Sequence, residues 1–251
     1  MYPAGAAIIA VILWDLVIRI FDIKPFILPP PFAVLQAIAD DLPNLWKNSL
    51  VTLEEVLAGF ALSVLVGLPL AVAIVSWPFV DKAVYPLLVG SQVVPKIAIA
   101  PLFIAWFGFG LAPKIIVVFL LALFPIVIDA VLGLRSTEIE KLYLARSMGA
   151  FARKTFFKIR LPGAMPNIFG GLKLGITFAV TGAVIGEFIG TDRGLGRMII
   201  VANGNLDTAE LFAAVVILTV MGVVLFLIVD VVERFVVRWH VSQRGARRGN
   251  S

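Results

Sequence analysis

The chain has 251 residues, of which 61% are hydrophobic and only 15% charged, with a net charge of +5 and no cysteine. A soluble domain is about 45–50% apolar and about 25% charged, so this composition excludes an ordinary soluble enzyme, a disordered tail and a coiled coil. The mean hydropathy of +1.03 points to the lipid bilayer as solvent.

A helix needs about 20 mostly apolar residues to cross the hydrocarbon core. Six stretches qualify, at residues 4–21, 56–77, 84–107, 113–134, 166–189 and 211–237. The first carries Asp15 and Arg19, spaced to pair on one helix face. It has no basic start and no small-residue cleavage site before Pro29–Pro31, and so reads as a span rather than a signal peptide. Glu54 and Glu55 are expected at the start of the second span, where negative charge suits the helix dipole. The third contains Pro86, Pro95 and Pro101, with Lys96 next to the second of them. Proline frees backbone acceptors, and within a membrane these are satisfied by protein or by a watery cavity. Pro95 and Lys96 are therefore pathway candidates, with Asp129 of the fourth span and Asp230 of the sixth as partners for the lysine or as lining residues.

In the fifth span, Gly171, Gly175, Gly182, Gly186 and Gly190 form small-residue stripes. Such stripes permit close helix approach, and Gly182 and Gly186 also suit a helix facing a pathway. Glu187 is an ionisable group near the end of this span and a functional candidate on that ground. Its carboxylate would repel an anionic solute, so a gate or structural element suits it better than an anion ligand; the alternatives are a hydrated carboxylate or a partner for Arg193 or Arg197. Gly194-Leu195-Gly196 has no preceding strand and is not a dinucleotide fingerprint.

Lysine and arginine concentrate at Arg135, Lys141, Arg146, Arg153, Lys154, Lys158 and Arg160, and again in the tail, whose residues 240–251 include His240, the single histidine. By the positive-inside rule both segments are cytoplasmic, as are both termini, and the tail suits anionic lipid better than nucleic acid. Residues 135–165 are not a plain linker. Ile139, Leu142, Ala145 and Met148 recur three apart, which predicts a surface helix, and Gly149 allows a sharp turn after it. A second helical stretch is expected over 151–159, ended by Pro162 and Pro166. On pattern alone, such helices rest on anionic lipid or present an apolar face to a cytoplasmic partner.

Ala145-Arg146-Ser147-Met148-Gly149, nine residues, then Ile159-Arg160-Leu161-Pro162 resembles the EAA loop of permease subunits of binding-protein-dependent ABC importers. Tyr143 and Leu144 stand where that pattern has Glu and Ala. Leu28-Pro29-Pro30-Pro31, Val94-Pro95-Lys96, Trp106-Phe107-Gly108-Phe109-Gly110 and Gly186-Glu187-Phe188-Ile189-Gly190 are similar, in order, to the nitrate/sulfonate/taurine branch. The resemblance implies an all-α integral membrane protein of about six transmembrane helices, type I permease-like, forming one domain over 1–251 in the bacterial inner membrane. It implies a cytoplasmic coupling helix between the fourth and fifth spans, with Ala145, Arg146, Ser147, Met148, Gly149, Ala150, Ile159, Leu161 and Pro162 as the ATPase-coupling residues. It further implies a homodimer working with two cytoplasmic ABC ATPase subunits and an extracytoplasmic solute-binding protein. The solute would be small, and anionic or heterocyclic.

No Gly-x-x-x-x-Gly-Lys-Ser/Thr phosphate loop occurs in the sequence, so ATP and Mg are expected on the partner ATPases and no cofactor or metal on this chain. An ion-coupled secondary transporter or channel is the rival. It would predict an inverted repeat, and none is visible. An integral-membrane enzyme would need a catalytic cluster that the sequence lacks.

Overall fold

The computed structural model describes residues 2–189 and 192–237, without the side chains of residues 2–4, 7, 96, 97 and 146. The basic tail at 240–251, with His240, and Gly190 lie outside the described residues. In chain order the helices are α1 (Tyr2–Ile20), α2 (Pro31–Asp40), α3 (Leu42–Ser76), α4 (Pro78–Gly90), α5 (Lys96–Phe107), α6 (Leu111–Arg135), α7 (Ile139–Ser147) and α8 (Ala152–Thr155). A π turn (Phe156–Arg160) then leads into α9 (Leu161–Phe188), followed by α10 (Leu195–Gly204) and α11 (Thr208–Val236). The described residues contain no strand. Four of the helical stretches, Leu42–Ser76, Leu111–Arg135, Ala152–Phe188 and Thr208–Val236, are long and apolar enough to cross a membrane. α1 covers the first expected span, and its Asp15 and Arg19 do pair, at 2.7 Å.

Two spans differ from expectation. The third, at 84–107, is not one helix: α4 stops at Gly90 and α5 begins at Lys96. Pro95 has no amide hydrogen, and its ring disfavours helical geometry at Val94, so the chain breaks there. Pro95 itself sits at the start of α5 in an extended conformation (φ −69°, ψ 95°). The second span begins at Leu42, well before residue 56, with Pro43 in its first turn. Glu54 and Glu55 are therefore interior to α3, not at its start. The added turns carry buried Asn48, Thr52 and Glu55, a polar seam that Gly59 and Ser63 continue into the expected span at helical spacing. Hydropathy discounts these polar residues, although their three- and four-residue spacing is that of one helix face.

The core is α6 held between α3 and α9. A Cβ on Gly171 would lie 2.8 Å from the Pro125 carbonyl oxygen, and one on Gly182 would lie 2.8 Å from the Val118 Cα. One on Gly186 would lie 3.2 Å from the Lys114 Cα. Gly59 and Gly67 of α3 also face α6, against the side chains of Val118 and Ile126. Gly171, Gly182 and Gly186 of α9 thus serve close packing of the two helix backbones. Around this core, Lys173 of α9 pairs with Asp230 of α11 at 2.6 Å and also with Glu233. Arg135 closes the end of α6 onto Asp81 of α4 at 2.5 Å.

Candidate functional site: a surface elbow, a cavity and a buried lock

α7 leads into a tight reversal. Gly149 has φ +75°, a left-handed conformation that only glycine adopts without strain. The Ala150 amide donates to the Ala145 carbonyl at 3.0 Å, the six-to-one bond of a Schellman turn. Ser147 Oγ donates to the Leu144 carbonyl at 2.8 Å and further ties the last turn. A Cβ at Gly149 would meet nothing within 4 Å. Backbone geometry, not crowding within the chain, therefore demands glycine at this position.

The expected apolar stripe of α7 does not lie on one face. Ala145 is buried and Leu142 half-buried, whereas Ile139 is 62% and Met148 78% exposed. A three-residue step advances only about 300° on a helix turning about 100° per residue, so a strict period of three winds around the axis. The outward set is Ile139, Tyr143, Leu144, Met148 and, past the turn, Phe151. The two positions that depart from the EAA pattern, Tyr143 and Leu144, thus extend an apolar patch. The side chain of Arg146 lies outside the described residues.

The second expected helix does not end at Pro162 or Pro166. Residues 152–188 form one continuous helical stretch. Within it the Leu161 amide bonds to the Phe156 carbonyl, a five-residue step. Pro162, the second residue of α9, and Pro166 both lie inside this stretch. The widened turn directly precedes Pro162, where a regular helix would set the proline ring against the Lys158 carbonyl. Ile159 and Pro162 are half-buried, and Leu161 packs with Val131, Leu134 and Ile168 in the core. The elbow is thereby joined to the membrane helix without a hinge loop.

A cavity of about 520 Å³ opens beside the break between α4 and α5. Gln92 and Pro95 line it from the break, Phe124 and Asp129 from α6, and Phe178 and Thr181 from α9. Asp129 makes no hydrogen bond or ion pair among the described residues. Of the pathway candidates, Pro95 lies on this cavity, while Gly182 and Gly186 are turned to α6. The side chain of Lys96 lies outside the described residues, and Asp230 is engaged by Lys173 and Arg234.

Glu187 lies elsewhere, in a lock at the far end of α9 from the elbow, and is 1% exposed. Its Oε1 accepts from Thr52 Oγ1 at 2.6 Å and its Oε2 accepts from the Gly196 amide at 2.5 Å. The Gly194 amide donates to Asn48 Oδ1 at 2.7 Å and the Leu195 amide to Thr52 Oγ1 at 2.9 Å. Three successive amides that open α10 are thus satisfied by side chains of α3 and α9, with a carboxylate at the helix N-terminus. Beside them Lys114 Nζ of α6 bonds to Glu55 Oε1 at 2.6 Å, with Glu55 fully buried. These contacts and the 1% exposure exclude the hydrated carboxylate, one alternative for Glu187, and suit the structural element. Nothing in a linear reading of hydropathy links Asn48 and Thr52 to residues beyond 187.

A helical membrane permease with a rigid surface elbow is the class that this architecture defines. Residues 63–240 match the family described as binding-protein-dependent transport system inner membrane component. The chain is 32% identical to the formylaminopyrimidine transport permease protein ThiX of Halalkalibacterium halodurans, over 96% of each chain. It is 28% identical to the taurine transport system permease protein TauC of Escherichia coli, over 94% of this chain and 88% of that one. Its fold is shared by a chain of the inward-facing MetNI methionine ABC transporter, with TM-score 0.64 and 19% identity over 78% of this chain and 95% of that one. The chain belongs to the binding-protein-dependent inner membrane component family and is the permease subunit of an ABC importer.

Proposed function

We propose that two copies of this chain form the translocation path of an importer driven by two cytoplasmic ATPase subunits and supplied by a solute-binding protein outside. ATP and Mg act on the ATPases; this chain does no covalent chemistry and moves solute by alternating access. Both termini and the 135–165 segment face the cytoplasm, in keeping with its basic residues.

The observation that carries this reading is the exposed patch of Ile139, Tyr143, Leu144, Met148 and Phe151, fixed by the Gly149 turn. An apolar patch on a short basic elbow suits a protein cleft. Continuity from Ala152 to Phe188 lets a push at that patch move the span as a body. Ala145, Ser147, Ala150, Ile159, Leu161 and Pro162 hold the elbow's shape; Met148 makes the contact.

The cavity at the α4–α5 break supplies the solute site. Phe178 offers a face for a flat ring, and Gln92, Thr181 and Asp129 offer hydrogen-bonding groups. A carboxylate with no cationic partner among the described residues opposes a simple anion, so of the two solute classes the heterocyclic one fits better. Similarity to a formylaminopyrimidine permease agrees with this.

Replacing Gly149 with valine tests the coupling. A branched residue at φ +75° costs about 1–2 kcal/mol or more at an exposed turn, which the fold tolerates. Solute uptake and solute-stimulated ATP hydrolysis in proteoliposomes should both fall severalfold, with expression and solubilised yield retained. Full uptake in this variant and in a Leu161→Asp, Pro162→Ala variant would overturn the coupling role.

A further inference from the structure

A second hollow, about 530 Å³, lies on the elbow side of the molecule, separate from the solute cavity. Its walls are Val72 and Val75 near the end of α3, Leu142 of α7, and Phe156 of the π turn. Arg153 and Arg160 also line it, seven residues apart on the α8–π stretch, and no acidic residue does among the described ones. Neither arginine makes an ion pair among the described residues. Thr155 also lines it, and its Oγ1 is buried without a hydrogen-bond partner among the described residues.

Two unpaired guanidinium groups and an orphan hydroxyl, backed by valine and phenylalanine, describe a receptor for an anion with an apolar tail. The hollow lies where the end of the membrane helix α3 meets the surface elbow. At that depth the abundant molecule with this chemistry is an anionic phospholipid of the inner leaflet. Arginine's planar fork suits phosphate oxygens, and the apolar wall suits the glycerol and first acyl carbons.

We propose that this hollow binds the phosphodiester headgroup of an anionic phospholipid, wedged between α3 and the α7–α8 elbow. The proposal rests on the cytoplasmic placement of the elbow given above. Leu142 and Ala150 of the elbow share the hollow with Val72 and Val75 of the membrane helix. An occupant therefore sets the distance between the docking patch and the membrane, and lipid charge becomes an input to coupling.

The test uses the full chain, purified in uncharged detergent without ATPases. Binding of short-chain phosphatidylglycerol, phosphatidylcholine and inorganic phosphate is followed by native mass spectrometry and thermal shift. Phosphatidylglycerol should bind on the order of tenfold more tightly than phosphatidylcholine, and the preference should vanish in Arg153→Gln, Arg160→Gln. Should that variant fail to fold, Thr155→Val and Arg153→Lys, Arg160→Lys should each weaken the preference, and Lys82→Gln should leave it intact. Equal binding of the two lipids, retention of the preference without the arginines, or inorganic phosphate matching the lipid would each overturn the proposal. So would loss of the preference once the ATPases are bound, which would assign the hollow to the protein interface. None of these readouts depends on transport, so failure here and failure of the coupling reading remain distinct.

Discussion

At the scale of single residues, the decisive groups are those that a membrane helix should not tolerate. Glu55 and Lys114 are both buried and bond at 2.6 Å between α3 and α6. Removing one partner strands a buried charge, at a cost of about 3–5 kcal/mol, whereas an apolar pair of similar size restores packing. Glu55→Gln and Lys114→Met should each lower the melting temperature in detergent markedly, and Glu55→Leu, Lys114→Met should recover most of the loss. If the double variant is as unstable as the singles, the pair does more than neutralise itself. Glu187 shows how far a single residue can be read from sequence. Its position in an apolar stretch marks it as unusual, but its partners are Thr52, 135 residues back in the chain, and the Gly196 amide of α10, nine residues ahead. Local periodicity carries no information about contacts across such separations.

At the scale of elements, the glycine stripe decides how α9 meets α6. The Cβ of any other residue at 171 would lie 2.8 Å from both the Asp129 Cβ and the Pro125 carbonyl oxygen. Gly171→Val should therefore force the helices apart, costing about 1–3 kcal/mol from overpacking. The expected readouts are a lower melting temperature and a reduced monodisperse yield on size-exclusion chromatography. Gly163→Val, with nothing within 4 Å, should be milder. The stripe was legible because small residues at four-residue spacing have one dominant meaning in a bilayer. The break at Pro95 was legible only in part. The prolines announce disruption, but whether a helix kinks or stops depends on what receives the freed carbonyls. The early start of α3 was hidden because hydropathy penalises Asn48, Thr52 and Glu55, whose partners lie on other helices.

At the scale of the molecule, the three candidate regions are laid out along α9. Its first turns follow the elbow, its middle lines the cavity through Leu174, Phe178 and Thr181, and its end enters the lock through Glu187. A displacement at one end must be felt by the other two, since no loop interrupts the helix. Asp129, on the facing helix, is the one carboxylate lining the cavity. Asp129→Asn should lower uptake of a radiolabelled pyrimidine by on the order of tenfold, the worth of a charge-assisted hydrogen bond of about 1.5 kcal/mol. Basal ATP hydrolysis should persist, and taurine uptake, if present, should fall less. An unchanged pyrimidine rate would remove Asp129 from the solute site. The apolar spans and the surface helices at 135–165 followed from composition and spacing, because both depend on local sequence, and the family resemblance added the all-α permease fold and the elbow. The cavity did not, because it exists only where the gap after α4 faces two other helices.

The π turn at Phe156–Arg160 has a geometric consequence for this family of shapes. A π turn holds one more residue than the α-helical turn it replaces, and each residue of an α-helix rotates the chain by about 100°. Deleting one residue from this turn would let it relax to regular helix. The outward patch would then swing roughly a quarter-turn around the axis while every contact below Leu161 stayed in register. Indels of a single residue here would re-aim the handle without rebuilding the shaft, so a lineage could acquire a differently oriented motor with one codon gained or lost.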